Sequence, residues 1–326
     1  MSLTEILLTR NIPGDVLQKL KHHTSLTVWK GEVPIPRGYL LQHIQNVEGV
    51  LCLLTDQIDV EVLTQAPSLK VVSTMAVGFD HIDVQGCTKR GIPVGHTPGI
   101  LTDTTADFAF SLLLCAARRV VEGVNYVKAG QWITWSPTLL LGQDIHSATL
   151  GIIGFGRIGQ AMCKRAAGFG MRVLVTHSSP ISGLGDSSLE VQQVPLDTLF
   201  QEADFVSLHV PLISRTNHLL NASAFDKMKS TAVLINTSRG GVVDTEALFN
   251  ALLHHKIGYA ALDVTDPEPL PSNHPLLSLA NCLVVPHIAS ASVATREKMA
   301  AMAVENLLSG LRGDPLPYCV NPEVYH

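Results

Sequence analysis

The feature that most constrains this chain is its rhythm. Short, continuously apolar runs alternate with longer segments of helical periodicity along nearly the whole sequence. Such runs fall at 6–9, 50–54, 70–74, 149–153, 172–176, 205–209, 232–236, 258–263 and 282–286. A strand with one wet face alternates apolar and polar residues. Most of these runs do not, so they predict parallel strands buried on both faces. Alternation of strand and helix over 326 residues predicts doubly wound parallel sheets. At roughly 100–200 residues per domain, the length predicts two of them.

Two segments break the rhythm. Phe108, Leu112, Leu113, Ala116, Val120, Val124 and Val127 have helical spacing, predicting one long helix over 102–129 with Thr102 or Asp103 as its cap. A second long helix is predicted over 292–311, capped by Ser292 and stopped by Gly310 and Gly313. With domain crossings at these helices, residues 1–100 and 292–326 form a discontinuous substrate domain around a dinucleotide-binding domain at 101–291.

Composition excludes several classes. Charged residues make up 16% of the chain, against about 25% in an average globular protein. The net charge is −5, which gives no electrostatic footprint for nucleic acid. No apolar run approaches the roughly 20 residues of a membrane span. The six cysteines form no CxxC pair, and no basic leader opens the chain, so the cytosol is the expected compartment. HExxH is absent and the paired histidines 22–23 and 254–255 read as exposed helix residues, so no metal site is expected. A GxSxG elbow is also missing.

The strongest local motif is Gly154-Phe155-Gly156-Arg157-Ile158-Gly159, directly after an apolar run and opening a helical one. Gly154 permits the tight turn, Gly156 the approach of a pyrophosphate, and Gly159 close packing of helix on strand. The N–H groups of the helix starting at Arg157 would face the phosphates. An NAD site usually carries Asp or Glu about 20 residues beyond the first glycine. Here the second strand ends in Thr176-His177-Ser178-Ser179, with no carboxylate before Asp186. Without that acid a 2′-phosphate is not repelled. Thr176, Ser178 and Ser179 can donate hydrogen bonds to it, and a protonated His177 can add charge. NADP(H) is therefore favoured and NAD(H) remains possible.

Three further strand ends carry reactive side chains: Asn236-Thr237-Ser238-Arg239-Gly240, Asp263 through Glu268-Pro269-Leu270, and Pro286-His287. In doubly wound sheets ligands bind at the carboxyl ends of strands. Arg239 can fork onto a carboxylate and polarise the adjacent carbonyl. His287 can supply a proton as hydride arrives at carbon, and Glu268 can raise its basicity and orient its ring. Singly, each has a structural alternative: an ion-pairing arginine, a solvated loop acid, a satisfied core histidine. Their joint placement at strand ends favours chemistry.

These motifs, in this order and spacing, resemble the D-isomer-specific 2-hydroxyacid dehydrogenase family, above all its glyoxylate and hydroxypyruvate reductases. The stretches 73–81, 101–107 and 132–135 extend the resemblance over essentially the whole chain. It implies a Rossmann-type nucleotide domain inserted in a flavodoxin-like substrate domain. Catalytic roles fall on Arg239, Glu268 and His287, with Arg239 also binding substrate. Backbone N–H groups of Val77 and Gly78 would hold the substrate carboxylate, and Asp263 would face the nicotinamide carboxamide. Gly156, Arg157 and Ile158 would meet the pyrophosphate; Thr105, Pro211 and Thr237 would line the cofactor. A homodimer through the nucleotide domain is implied, with Trp135 on an arm reaching the neighbouring subunit's pocket. Alternatives are a reductase of 2-ketogluconate or another 2-oxo acid, and a non-catalytic dinucleotide sensor resembling transcriptional corepressors.

Overall fold

The computed structural model describes residues 4–181 and 191–326, which leaves Asp186 outside the described residues. The chain forms two compact units, Met1–Leu101 with Ala291–His326, and Thr102–Ser290. The first carries strands β1 (Thr4–Leu8), β2 (Thr24–Val28), β3 (Gly49–Cys52), β4 (Val71–Thr74) and β5 (Val94–Gly95). They pair in parallel in the order β2-β1-β3-β4-β5. Leu7, Val50 and Val72 face one layer of helices, with Leu40, Ile44, Val62 and Leu63. Ile6, Leu8, Leu51 and Val71 face the other, where Met299, Ala303 and Leu307 of the Val293–Arg312 helix close the core. Burial on both faces is why β1, β3 and β4 read as apolar runs.

The second unit carries β6 (Thr149–Ile153), β7 (Arg172–Thr176), β8 (Val191–Gln193), β9 (Phe205–Leu208), β10 (Val233–Asn236), β11 (Tyr259–Leu262) and β12 (Cys282–Val284). Their order is β12-β11-β10-β9-β6-β7-β8, again wholly parallel. The strand order reverses between β6 and β9, which is the switch point where ligands bind in such sheets. Leu150, Ile152, Val173 and Phe205 pack under the Thr102–Ala117 and Arg157–Ala167 helices. Ile153, Leu174, Val206 and Leu234 pack under Leu196–Glu202 and Thr245–Leu253.

Two helix expectations are corrected. The segment 102–129 is not one helix: it breaks into Thr102–Ala117 and Val120–Lys128, with Arg119 in the left-handed region at φ 51°. The break is met by a partner far along the chain. The Ala117 carbonyl accepts Gln143 N–H at 2.8 Å instead of continuing the helical ladder. Consequently Val120, Val124 and Val127 are exposed, and no residue of Val120–Lys128 is buried. Thr102 and Asp103 both lie inside the first turn of the first piece rather than before it, so neither is its cap. The Val293–Arg312 helix is capped by Ser292, whose Oγ accepts Thr295 N–H, and is stopped by Gly313 alone, at φ 79°. Gly310 is inside the helix, packed against Val71 where a Cβ would not fit.

Candidate active site

The glycine loop follows β6 at the switch point. Gly154 has φ 96°, a region that L side chains rarely adopt, and a Cβ there would strike the His209 carbonyl. A Cβ on Gly159 would strike the Gly154 carbonyl, so helix and strand approach only over a glycine. Gly156 differs: it is extended and exposed, and a Cβ on it would meet no protein atom within 4 Å. Packing within the protein does not require a glycine there, so the position is open from the solvent side. Gly156 caps the Arg157–Ala167 helix without any side-chain hydrogen bond, and no acid stands in its first turn. The N–H groups of Arg157 and Ile158 thus begin a helix whose positive end is open to an anion. Thr237 Oγ1, after β10, is buried without a hydrogen-bond partner among the described residues. Such an orphan in a native fold calls for a missing partner. Thr105 is buried in the first turn of Thr102–Ala117, and Pro211 is exposed after β9. A loop, a helix end and an orphaned hydroxyl of this kind fit a dinucleotide.

At the end of β7 the structure revises the roles expected of two side chains. Thr176 Oγ1 donates to the Val194 carbonyl at 2.9 Å, so its proton is spent. His177 Nδ1 accepts Phe155 N–H from the glycine loop at 3.2 Å. An accepting Nδ1 leaves the proton on Nε2, so in this arrangement His177 offers one neutral donor rather than a positive charge. Ser178 and Ser179 are exposed.

The loops after β10, β11 and β12 are locked to one another. Asn236, 1% exposed, accepts Ser238 N–H and Oγ–H and donates to the Arg239 carbonyl at 2.9 Å, clipping the turn that carries Arg239. Sequence reading passed over this asparagine as the end of a strand. Arg239 is half-buried, and Gly240 beside it packs directly on the backbone at Thr265–Asp266. Asp263 is 1% exposed, and its two oxygens accept Ile288 N–H at 2.6 Å and Ala289 N–H at 2.9 Å. Burial pushes its carboxyl above the usual range, and these two N–H groups pull it back. Its backbone carbonyl takes His287 N–H at 2.9 Å. Thus Asp263 fixes the His287 loop from both ends.

His287 itself sits at φ 53°, sparse territory for a residue with a Cβ. Its Nδ1 lies 2.6 Å from Glu268 Oε1. A carboxylate only accepts, so Nδ1 carries a proton and Nε2 is the nitrogen left for chemistry. Glu268 Oε2 in turn accepts Thr265 N–H at 3.4 Å.

The other candidate residues stand elsewhere. Val77 and Gly78 follow β4 in the first unit, half-buried, and neither N–H is given to another atom among the described residues. Trp135 lies 78% exposed, next to exposed Trp132 and Ile133. Among the described residues no group of three or more His, Cys, Asp or Glu side chains could hold a metal ion. No described helix is long and apolar enough to cross a membrane.

Comparison with known proteins agrees with this geometry. The family "D-isomer specific 2-hydroxyacid dehydrogenase, NAD binding domain" matches residues 110–289, over half of the chain. The glyoxylate reductase of Korarchaeum cryptofilum is 48% identical over 320 residues, covering 98% of this chain and 96% of that protein. The crystal structure of the TT0316 protein from Thermus thermophilus superposes with a TM-score of 0.92 at 46% identity, covering 97% of this chain and 100% of that one. An NADPH-dependent glyoxylate/hydroxypyruvate reductase of Sinorhizobium meliloti, solved with NADP and malonate, gives a TM-score of 0.86 at 30% identity, covering 98% of each chain. The Thr102–Ser290 unit is therefore built on an NAD-binding domain, and the chain belongs to the D-isomer specific 2-hydroxyacid dehydrogenases, a family of oxidoreductases.

Proposed function

We propose that this chain reduces glyoxylate and hydroxypyruvate to the corresponding 2-hydroxy acids, the D-isomer where the new carbon is chiral. The observation that carries the reading is the Glu268–His287 pair, 2.6 Å apart, on loops clamped by Asp263 and packed against the Arg239 turn. A bound nicotinamide dinucleotide supplies the hydride. The Val77 and Gly78 N–H groups hold the substrate carboxylate. Arg239 polarises the carbonyl and stabilises the alkoxide that develops on its oxygen. Protonated on both nitrogens, His287 gives its Nε2 proton to that oxygen and is left neutral, while Glu268 keeps Nδ1–H in place and balances the imidazolium before the transfer, as it does after the transfer in the reverse direction. Arg157, Ile158 and the glycine loop bind the pyrophosphate, and Thr105, Thr237 and Pro211 line the cofactor. Asp263 holds the His287 loop beside the carboxamide.

NADPH is the preferred reductant in this proposal, because no carboxylate occupies the turn after β7. His177, Ser178 and Ser179 meet the 2′-phosphate with neutral donors, so NADH is used as well. The test is steady-state oxidation of NADPH and NADH with glyoxylate, hydroxypyruvate and 2-ketogluconate. Turnover of the two smaller acids with NADPH ahead is expected. Turnover of 2-ketogluconate alone would move the substrate to sugar acids. Cofactor binding with no turnover of any acid would replace the enzyme by a sensor.

The same proposal includes a homodimer through the nucleotide unit. Val120, Val124 and Val127 on one helix and Trp132, Ile133, Trp135 and Leu141 beyond it are each exposed, and exposed apolar side chains gathered in one segment favour association. Trp135 is placed at the neighbouring subunit's pocket. Trp135→Ala is expected to raise KM for the 2-oxo acid or weaken the dimer, read by kinetics and sedimentation. If both stay at wild-type values, the arm has no such role.

A further inference from the structure

The N–H groups of Val77 and Gly78, given to no other atom among the described residues, raise a question of aim. Backbone N–H groups bind a carboxylate only if both are turned the same way. In a trans peptide the C=O and N–H point in opposite directions, so fixing one carbonyl aims the next N–H. The Ala76–Val77 and Val77–Gly78 bonds are both trans. The Ala76 carbonyl accepts Thr97 N–H at 2.9 Å. The Val77 carbonyl lies 3.0 Å from His96 Nδ1. Two successive carbonyls are thus drawn toward one neighbouring segment, and the N–H groups of Val77 and Gly78 are both turned away from it.

We propose that His96 is a positioning residue for substrate, holding the Val77–Gly78 peptide so that both N–H groups form a two-pronged carboxylate cradle. A carbonyl only accepts, so His96 Nδ1 carries the hydrogen. It donates from that nitrogen whether the ring is neutral or protonated. The histidine is itself firmly seated. Its N–H donates to the Tyr318 carbonyl at 3.1 Å, and its carbonyl accepts Asn306 Nδ2–H at 2.9 Å. Asn306 is fully buried, and its Oδ1 takes Tyr318 N–H at 3.1 Å. This asparagine comes so near the strand that a Cβ on Gly95 would lie 2.6 Å from its own. The Phe79 ring meets the imidazole edge-on, with centroids 5.8 Å apart. The last helix and the C-terminal segment therefore brace the side chain that aims the cradle.

This inference rests on the reading that Val77 and Gly78 hold the carboxylate, and the test separates the two. The probe is oxamate, an unreactive 2-oxo acid mimic, titrated calorimetrically into NADPH-saturated enzyme. His96→Phe and His96→Leu drop the donor, whereas His96→Asn places an amide N–H where Nδ1 stood. Val77→Pro removes one cradle N–H directly. Loss of the tether is expected to weaken oxamate about tenfold or more, as for a hydrogen bond to a charged group, with Asn within about threefold of wild type. NADPH affinity and thermal unfolding should stay near wild type in the His96 variants, and either the Phe or the Leu form suffices. If Val77→Pro loses oxamate while a folded Phe or Leu form binds it as wild type, the tether is overturned and the carboxylate reading stands. If a folded Asn form is as weak as Phe, the effect is packing, which also overturns it. If Val77→Pro binds oxamate unchanged, the carboxylate reading falls and the His96 role falls with it.

Discussion

Replacing His287 by alanine is expected to lower kcat on glyoxylate by about 10²–10⁴-fold while leaving NADPH affinity within about twofold. In the proposed mechanism the proton from His287 is needed only as negative charge builds on the substrate oxygen, so the loss should fall on the transition state and not on cofactor binding. Arg239→Ala is expected to cost about 10²–10³-fold in kcat. It should also raise KM, because in the proposed site the same guanidinium also meets the ground-state carboxylate. Lysine at 239 would not restore the activity, since a point charge cannot replace the planar fork. The losses in the double variant should fall well short of multiplying, because both residues act on one developing charge. Steady-state kinetics with single-turnover traces checks this. Near-wild-type kcat in either single variant would remove the assigned role.

The second large effect separates two glycines. At Gly240 a Cβ would collide with the Thr265 carbonyl and crowd Asp266 N, both rigid backbone. Gly240→Ala must push the loops after β10 and β11 apart. Overpacking of this kind costs about 1–3 kcal/mol, or roughly 2–12 °C in Tm for a unit of this size. A shift of about 1 Å in the Arg239 turn can cost on the order of 10²-fold in rate without touching a reacting side chain. At Gly156 the protein leaves open space. Gly156→Ala should fold with an unchanged Tm and raise KM for NADPH by about tenfold or more, because in the proposed complex the new methyl stands where the pyrophosphate comes in. Thermal unfolding and cofactor titration of both variants make the check. An unfolded Gly156→Ala, or a Gly240→Ala with wild-type Tm, would contradict the packing described.

Much of this was legible in sequence, and the limits have physical causes. β6, β7 and the Gly154–Gly159 loop are local in origin: each residue needed for the turn is adjacent, and the runs at 149–153 and 172–176 match their strands end to end. β2, β5 and β8 escaped notice. β2 and β8 edge their sheets and carry polar residues, and β5 is two residues long, so none shows a continuous apolar run. At the break before Arg119 the Ala117 carbonyl is taken by Gln143 N–H, a contact that no periodicity in 102–129 can report. The acid, base and guanidinium candidates could be read from their places at strand ends. Their clamps could not. Asn236 holds backbone two and three residues on, Asp263 accepts from backbone 25 and 26 residues on, and His96 reaches a peptide 19 positions earlier.

The split of the first unit between the two ends of the chain has a consequence for synthesis. Residues 1–101 leave the ribosome first, yet one face of their sheet lacks Met299, Ala303 and Leu307, and β5 lacks the Asn321 side chain that accepts Val94 N–H at 2.7 Å. The unit spanning Thr102–Ser290 is complete as soon as it is made. The middle of the chain can thus close before its beginning, and the half-covered sheet waits for the final helix to arrive.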